Sequence, residues 1–205
     1  MEPQTGLRIL AADEDEEALG RTVTALGRLG HEVTATAEDL AQVTEAIARE
    51  DPELSVVVVH DDAEHALDLI EEIAAFASGP VIALVASERP EFVSRAAERG
   101  IYAAARDADE NALQSAIEVA VRRHEEAVRL SEQIDRLESA LERRALIERA
   151  KGILMERHGI AERDAFDRLR AHARSRSAAV VDVARAVSEG HGLLPATNRE
   201  AEGGD

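Results

Sequence analysis

Short apolar runs alternate with amphipathic helical patterns along residues 7–122, and this alternation constrains the fold more than any other feature. Five strands are predicted, at LRILAA (7–12), EVTATA (32–37), LSVVVV (54–59), PVIALVA (80–86) and IYAAA (101–105). Four helices are predicted between them, at 15–29, 39–49, 64–76 and 91–99. Because strands that alternate with helices form parallel sheets covered on both faces, we expect an α/β fold with a five-stranded, doubly wound parallel sheet.

Polar residues follow the first and third predicted strands. Asp13 and Glu14 follow the first strand, and His60 and Asp61 follow the third. Ligands of such sheets bind beyond the carboxyl ends of the strands. The acidic pair suits Mg²⁺, which prefers carboxylate oxygens, but acids also suit the start of the next helix, whose dipole favours negative charge.

The order of elements and the stretch RILAADED resemble the receiver domain of bacterial response regulators, which has a flavodoxin-like sheet. The resemblance implies that Asp13 and Glu14 help to hold Mg²⁺ and that a sensor histidine kinase is a partner. His60, however, stands where the family has its phosphate-accepting Asp. We therefore interpret residues 1–122 as a pseudo-receiver without conventional phosphorylation, and Asp61 is the alternative acceptor if the third strand is one residue longer.

Two further positions depart from the receiver pattern. Val85 stands where the family has Ser or Thr after the fourth strand, and the family's Lys falls near Arg106 or Asp107. Phosphate transfer to a carboxylate needs a metal-held acceptor and a cation for the phosphate. These departures support the pseudo-receiver interpretation.

A long helix is predicted from Glu110 to Arg157, because this stretch contains no Pro and no Gly before Gly152. Apolar residues recur there at spacings of three and four, at Ala127, Leu130, Ile134, Leu137 and Leu141. This spacing is the seam of a coiled coil. A helix cannot bury such a stripe alone, so we expect residues 123–142 to be a coiled-coil linker that pairs two chains; packing on the C-terminal helices is the alternative.

The charge is distributed unevenly along the chain. The net charge of −18 argues against a nucleic-acid partner when it is taken alone. Residues 1–142, however, hold 12 Arg against 32 acidic residues, whereas residues 143–195 hold 10 Arg and the only Lys against 7 acidic residues. An acidic body therefore carries a mildly basic C-terminal module.

The C-terminal module reads as a small three-helix all-α domain over residues 143–195, followed by a polar tail (196–205) predicted to be disordered. Gly159 suits the end of the long helix, and Ser177 suits the N-cap of the last helix. We place Ala165, Phe166 and Leu169 on one apolar, core-facing stripe of the second helix.

The stretch 145–187, ALIERAKGILMERHGIAERDAFDRLRAHARSRSAAVVDVARAV, resembles the ANTAR domain, the RNA-binding module of transcription antitermination regulators. The likeness covers the AKG core at 150–152, the Ala165–Phe166 pair, Leu169–Arg170 and the final DVA at 182–184. It implies that the protein binds stem-loops in leader RNA, prevents terminator formation and so lets transcription continue. The receiver-like domain would be the input, and the central helix would form the homodimer.

The lone lysine and its neighbours are the predicted RNA-binding residues. Lys151 offers a compact ammonium that an Arg does not reproduce, and Gly152 leaves room for RNA to approach the helix. The candidate set is Ala150, Lys151, Gly152, Arg149, Arg170 and Arg174. The alternative is a solvated lysine beside a glycine that packs against another helix.

Several functions are not supported by the sequence. The chain has no Cys, and His158, His172 and His191 lack metal-ligand spacing, so we expect no metal other than Mg²⁺ at the receiver site and no enzymatic activity. No apolar run spans a membrane and no signal peptide is recognisable, which favours a cytoplasmic protein. The alternatives to RNA binding are a DNA-binding response regulator and a coiled-coil scaffold that binds only protein.

Overall fold

A computed structural model of the chain describes residues 6–60, 63–86, 90–106 and 109–190. The elements of this part are β1 (Arg8–Ala12), α1 (Glu16–Arg28), β2 (Glu32–Ala37), α2 (Leu40–Glu50), β3 (Leu54–Val59), α3 (Ala63–Phe76), β4 (Val81–Val85), α4 (Pro90–Glu98), β5 (Ile101–Arg106), α5 (Glu110–His158), α6 (Glu162–Ser175) and α7 (Val180–Ser188). The strands and helices predicted over residues 7–106 agree with these to within one residue at each end.

The five strands form one parallel sheet in the order β2-β1-β3-β4-β5. Apolar side chains of α2, α3 and α4 pack on one face, and those of α1 and the first part of α5 pack on the other. The predicted doubly wound flavodoxin-like sheet is confirmed. The strands β1 and β3 are neighbours in the sheet, so their carboxyl ends lie side by side. The strand order reverses at this point, and folds of this class bind their ligands there.

Local sequence signals explain where these elements begin. The carboxylate of Asp15 accepts hydrogen bonds from the amides of Glu17 and Ala18, and that of Asp39 accepts one from the amide of Gln42. These are N-caps of α1 and α2, which satisfy amides that have no partner inside the helix. Gly79 is required before β4, since a Cβ there would lie 2.3 Å from the carbonyl oxygen of Glu53.

The chain divides into two compact units, an N-terminal unit that ends at Arg129 and a C-terminal unit that begins at Leu130. The helix α5 is 49 residues long and contributes residues to both units. This helix confirms the predicted long helix and its end at Gly159, whose φ of +61° suits glycine. Within the described ranges, no helix has the length and apolarity needed to cross a bilayer.

The C-terminal unit packs the end of α5 against α6 and α7. Its core is formed by Ala150, Leu154, Ala165, Leu169, Ala173, Val183, Ala184 and Val187. The prediction that Ser177 caps the last helix is wrong. Ser177 adopts a left-handed conformation with φ of +52° in the turn that ends α6, and Ala179 precedes α7 without a side-chain cap.

Candidate functional site

Lys151 lies in the interior of the C-terminal unit and joins two helices. Its side chain is 9% exposed, and its Nζ donates hydrogen bonds to both carboxylate oxygens of Glu148, at 2.8 and 2.7 Å, and to Oε1 of Glu162, at 2.6 Å. Glu148 precedes Lys151 by one turn of α5, and Glu162 is the first residue of α6. The three donor positions of the ammonium are therefore matched by three carboxylate oxygens.

The ammonium of Lys151 and the carboxylate of Glu162 stabilise each other's charged forms. The hydrogen bond to Glu148, followed by that to Glu162, raises the pKa of Lys151, although burial of the ammonium acts in the opposite direction. The hydrogen bond from Lys151 lowers the pKa of Glu162. The sequence predicted that Lys151 lies on a surface open to RNA, and the alternative was a solvated lysine. In the structure the ammonium is buried, and its hydrogen bonds join α6 to α5.

The two neighbours of Lys151 face opposite ways. Ala150 is fully buried in the core of the C-terminal unit, so its side chain serves packing rather than contact with a ligand. Gly152 is exposed, and a Cβ built there would meet no atom within 4 Å. The alternative that Gly152 lets another helix of this chain pack closely is therefore wrong. Its missing side chain leaves backbone open on the outer face of α5.

Phe166 does not lie on the core-facing stripe, which corrects the prediction. Consecutive helix residues are turned by about 100° from each other, so Ala165, Leu169 and Ala173 take the core positions and Phe166 lies beside them. Phe166 is 37% exposed. The guanidinium carbon of Arg170 lies 5.8 Å from the centroid of its ring, within the range of a cation–π interaction.

Arginines cover much of the remaining surface of the C-terminal unit. Arg149 and Arg174 are exposed and, among the described residues, make no ion pair. Arg157, Arg163 and Arg185 share this property. Arg170 has only a 3.9 Å contact with Asp167. Unpaired guanidinium groups on one small unit are suited to bind phosphate oxygens.

A second polar site lies at the carboxyl ends of β1 and β3. Asp13 is fully buried, and its Oδ1 accepts hydrogen bonds from Nε2 of His60, at 2.6 Å, and from the amide of Asp15, at 2.9 Å. Its Oδ2 is also buried and has no hydrogen-bond partner among the residues that the structure describes. Glu14 is exposed beside this pair, and Asp61 lies outside the described residues.

The described part of this site does not fit Mg²⁺. Mg²⁺ prefers near-octahedral oxygen ligands, whereas Asp13 is the only buried carboxylate described here and one of its oxygens is bound by an imidazole. No cluster of three metal-ligating side chains occurs among the residues that the structure describes. Val85 is buried at the end of β4, and Arg106 is exposed at the end of β5.

The predicted coiled-coil seam lies on the surface of a single chain. Leu130, Ile134, Leu137 and Leu141 are 53–66% exposed, and Ala127 is exposed as well. From residue 125 to residue 145 every side chain of α5 is exposed. The described residues of the chain therefore leave this stretch of helix without a buried side chain.

Comparison with known proteins gives a consistent result for both units. The ANTAR domain family matches residues 135–187. The chain is also 33% identical over 185 residues to the transcriptional regulatory protein PdtaR of Mycobacterium tuberculosis, in strains CDC 1551 and H37Rv, with 89% of each chain covered.

Solved structures resemble the sheet domain. The signal receiver domain of an HD domain-containing protein from Pseudomonas fluorescens Pf-5 has a TM-score of 0.51 at 22% identity and covers 59% of this chain and 98% of its own. The signal receiver domain of a modulated diguanylate cyclase from Desulfovibrio desulfuricans G20 has a TM-score of 0.52 at 17% identity, covering 58% and 97%. These likenesses show that the N-terminal unit has the receiver fold.

A receiver fold followed by an ANTAR domain defines a response regulator. The chain belongs to the family of ANTAR-domain transcriptional regulators that includes PdtaR.

The partners of Lys151 were missed by sequence reasoning. A signal was present, since Glu148 lies three residues before Lys151, a spacing that places both on one helix face. Glu162 carried a weaker signal, as an acid in the first turn of the next helix. Nothing local predicted that this first turn would pack beside Lys151.

Proposed function

We propose that the C-terminal unit binds stem-loops in leader RNA and that the protein promotes transcription antitermination. The observation that carries this proposal is an ANTAR domain with exposed arginines that make no ion pair with other described residues, while its single lysine is buried. Phosphate contacts from such arginines supply most of the affinity for a nucleic acid. The acidic N-terminal unit keeps the net charge of the chain negative, which disfavours nonspecific binding.

The predicted RNA-binding residues have different roles in this proposal. Arg149, Arg170 and Arg174 contact phosphates, and the open backbone at Gly152 is the place where the RNA approaches α5. Ala150 and Lys151 support this surface from beneath, since one packs in the core and the other joins α5 to α6.

The test is selection from RNA hairpins that share one stem and carry randomised loops, with the full-length protein as bait. A selected hairpin should bind more tightly than the DNA hairpin of the same sequence. Arg174→Gln should weaken binding and reduce the slope of log affinity against log salt by about one. Arg49→Gln, which changes an exposed arginine of α2, is the matched control. Equal binding of RNA and DNA would instead favour the DNA-binding alternative.

We also propose that α5 forms a homodimer through Ala127, Leu130, Ile134, Leu137 and Leu141. Helices without tertiary support are marginal in water, and a second copy of this seam would cover the exposed leucines. Ile134→Asp together with Leu137→Asp should yield monomers in light scattering. A pair of changes on charged positions of the same stretch, Glu132→Gln with Arg136→Gln, should keep the mass of the dimer.

The N-terminal unit is proposed to be an input domain that does not use conventional phosphorylation, because His60 occupies the end of β3 and is bonded to Asp13. Radiolabelled acetyl phosphate with Mg²⁺ should therefore leave no label on the protein. A label that is lost in Asp61→Ala would identify Asp61 as the acceptor and a sensor histidine kinase as the partner that supplies the phosphate.

A further inference from the structure

Phe166 is an exposed aromatic ring in a unit that has no other aromatic residue of the Phe, Tyr or Trp type. It lies on α6 beside, and not within, the stripe of Ala165, Leu169 and Ala173 that packs into the core. The ring is 37% exposed and is not one of the residues that form the core of the unit. It is held against the guanidinium of Arg170, one turn further along the helix.

Arginines flank Phe166 on both sides along α6. Arg163 lies one turn before it and Arg170 one turn after it, and both are exposed. Glu162 is also one turn before, and it shares the single positive charge of Lys151 with Glu148. Asp167, which is 3.9 Å from Arg170, is the remaining acid of this surface.

A planar ring next to a planar guanidinium, flanked by further cations, matches an unpaired nucleobase with its phosphates. Bases of RNA loops stack on aromatic rings and on arginine planes, while neighbouring cations bind the backbone. A protein partner would need apolar neighbours around the ring. On α6 the exposed neighbours of Phe166 are charged, so the surface favours a nucleic acid.

We propose that Phe166 and Arg170 form a stacking site for one unpaired base of the RNA loop. The inference rests on the proposed RNA-binding function and adds the part of the RNA that this surface contacts. Lys151 is a positioning residue for the site, because it binds Glu162 at the start of α6 and so fixes the helix that carries Phe166.

The experiment uses the full chain and the hairpin selected from the randomised-loop pool. Phe166→Leu keeps an apolar side chain but removes the plane, and should weaken binding roughly tenfold or more, the value of one stacked base. Phe166→Tyr keeps the plane and should bind as the unchanged protein does. Phe76→Leu, which changes a phenylalanine that is 64% exposed in the N-terminal unit, is the matched control.

The stacked base is located by abasic substitution at each loop position in turn. One abasic hairpin should bind the unchanged protein more weakly than the intact hairpin does. Phe166→Leu should bind this abasic hairpin and the intact hairpin equally well, because both changes remove the same contact. The chain has no Trp, so Phe166→Trp introduces a single fluorophore whose emission should be quenched by the full hairpin and not by that abasic one.

Equal affinity of Phe166→Leu and the unchanged protein would overturn the inference while leaving RNA binding intact. So would losses that simply add at every abasic position. If Phe166→Leu changes the mass of the assembly in solution but not the affinity for RNA, the ring contacts protein. If the unchanged protein binds no hairpin from the pool, the proposed function itself is contradicted, and this inference with it.

Discussion

Asp13 in the N-terminal unit and Lys151 in the C-terminal unit are both buried ionisable residues, and they differ in how far their hydrogen bonds are satisfied. Lys151 has three carboxylate oxygens within 2.8 Å of its Nζ, and both partners remain half exposed to water. Within the described part of the chain, Asp13 has two partners on Oδ1 and none on its buried Oδ2.

Complete and incomplete hydrogen bonding have different consequences for a buried ionisable group. A buried charge with complete hydrogen bonding fixes the arrangement of the elements that carry its partners. A buried oxygen without a hydrogen-bond partner costs free energy. Lys151 therefore acts as an internal tie between α5 and α6. Asp13 lies directly after β1, with the imidazole of His60 beside it.

The largest effect is expected at the residue before Lys151. Ala150→Leu inserts a larger side chain into a fully buried position and should destabilise the C-terminal unit by about 1–3 kcal/mol. Thermal unfolding followed by circular dichroism measures this. An unchanged free energy of unfolding would show that Ala150 is not a core residue. Ala150 would then again be a candidate for a direct contact with RNA.

Lys151→Met keeps most of the apolar stem but removes the ammonium, and should lower the melting temperature at neutral pH. The effect should depend on pH. Glu162 has a lowered pKa in the folded state, so its contribution is present above its ordinary value of 4.5 and is lost as the pH falls through the folded pKa. Lys151 has a raised pKa, so its contribution is present below 10.5 and is lost at higher pH, as the pH rises through the folded pKa.

The difference between the unchanged protein and Lys151→Met should therefore be constant between these limits and shrink outside them. Glu162→Gln is the matched variant, and its effect should be small when Lys151 is already Met, because the two residues act as a pair. Additive effects of the two changes would contradict the tie between α5 and α6.

His60→Asp tests the site in the N-terminal unit, because it replaces the imidazole with a second carboxylate next to Asp13. Without metal the change should destabilise the N-terminal unit, because like charges then lie together. A weak carboxylate site with a dissociation constant of about 1 mM would restore about 1.4 kcal/mol at about 10 mM Mg²⁺. Melting with Mg²⁺ and with EDTA measures this gain. The same gain in the unchanged protein would show that its site already binds Mg²⁺.

The smallest stability change is expected at the residue after Lys151, with the opposite sign to that of Ala150→Leu. Gly152→Ala should stabilise α5 by about 1 kcal/mol, because Cβ enters open space and alanine favours helix. If RNA approaches the backbone there, the same variant should lose affinity for the selected hairpin. A gain in stability with intact affinity would move the RNA surface to Arg149, Arg170 and Arg174.

Much of the architecture follows from the sequence alone. The period of apolar residues places the five strands and the helices between them to within one residue, because burial on a sheet or a helix face repeats with the geometry of that element. The AKG core and the pattern that follows it also identify the ANTAR domain, because both lie within one continuous stretch of chain. The absence of Pro and Gly predicts α5, since nothing in that stretch interrupts a helix.

Tertiary structure alone decided the environment of single side chains. Lys151 is basic and lies between a small residue and a glycine, a pattern that fits a surface contact as well as a buried tie. The choice depends on Glu162, which reaches Lys151 only after the turn at Gly159 folds α6 back on α5. Asp13 and His60 likewise meet only because β1 and β3 are neighbours in the sheet. Local periodicity fixes which face a residue occupies, whereas its partner across the fold is set by packing between segments that are distant in sequence.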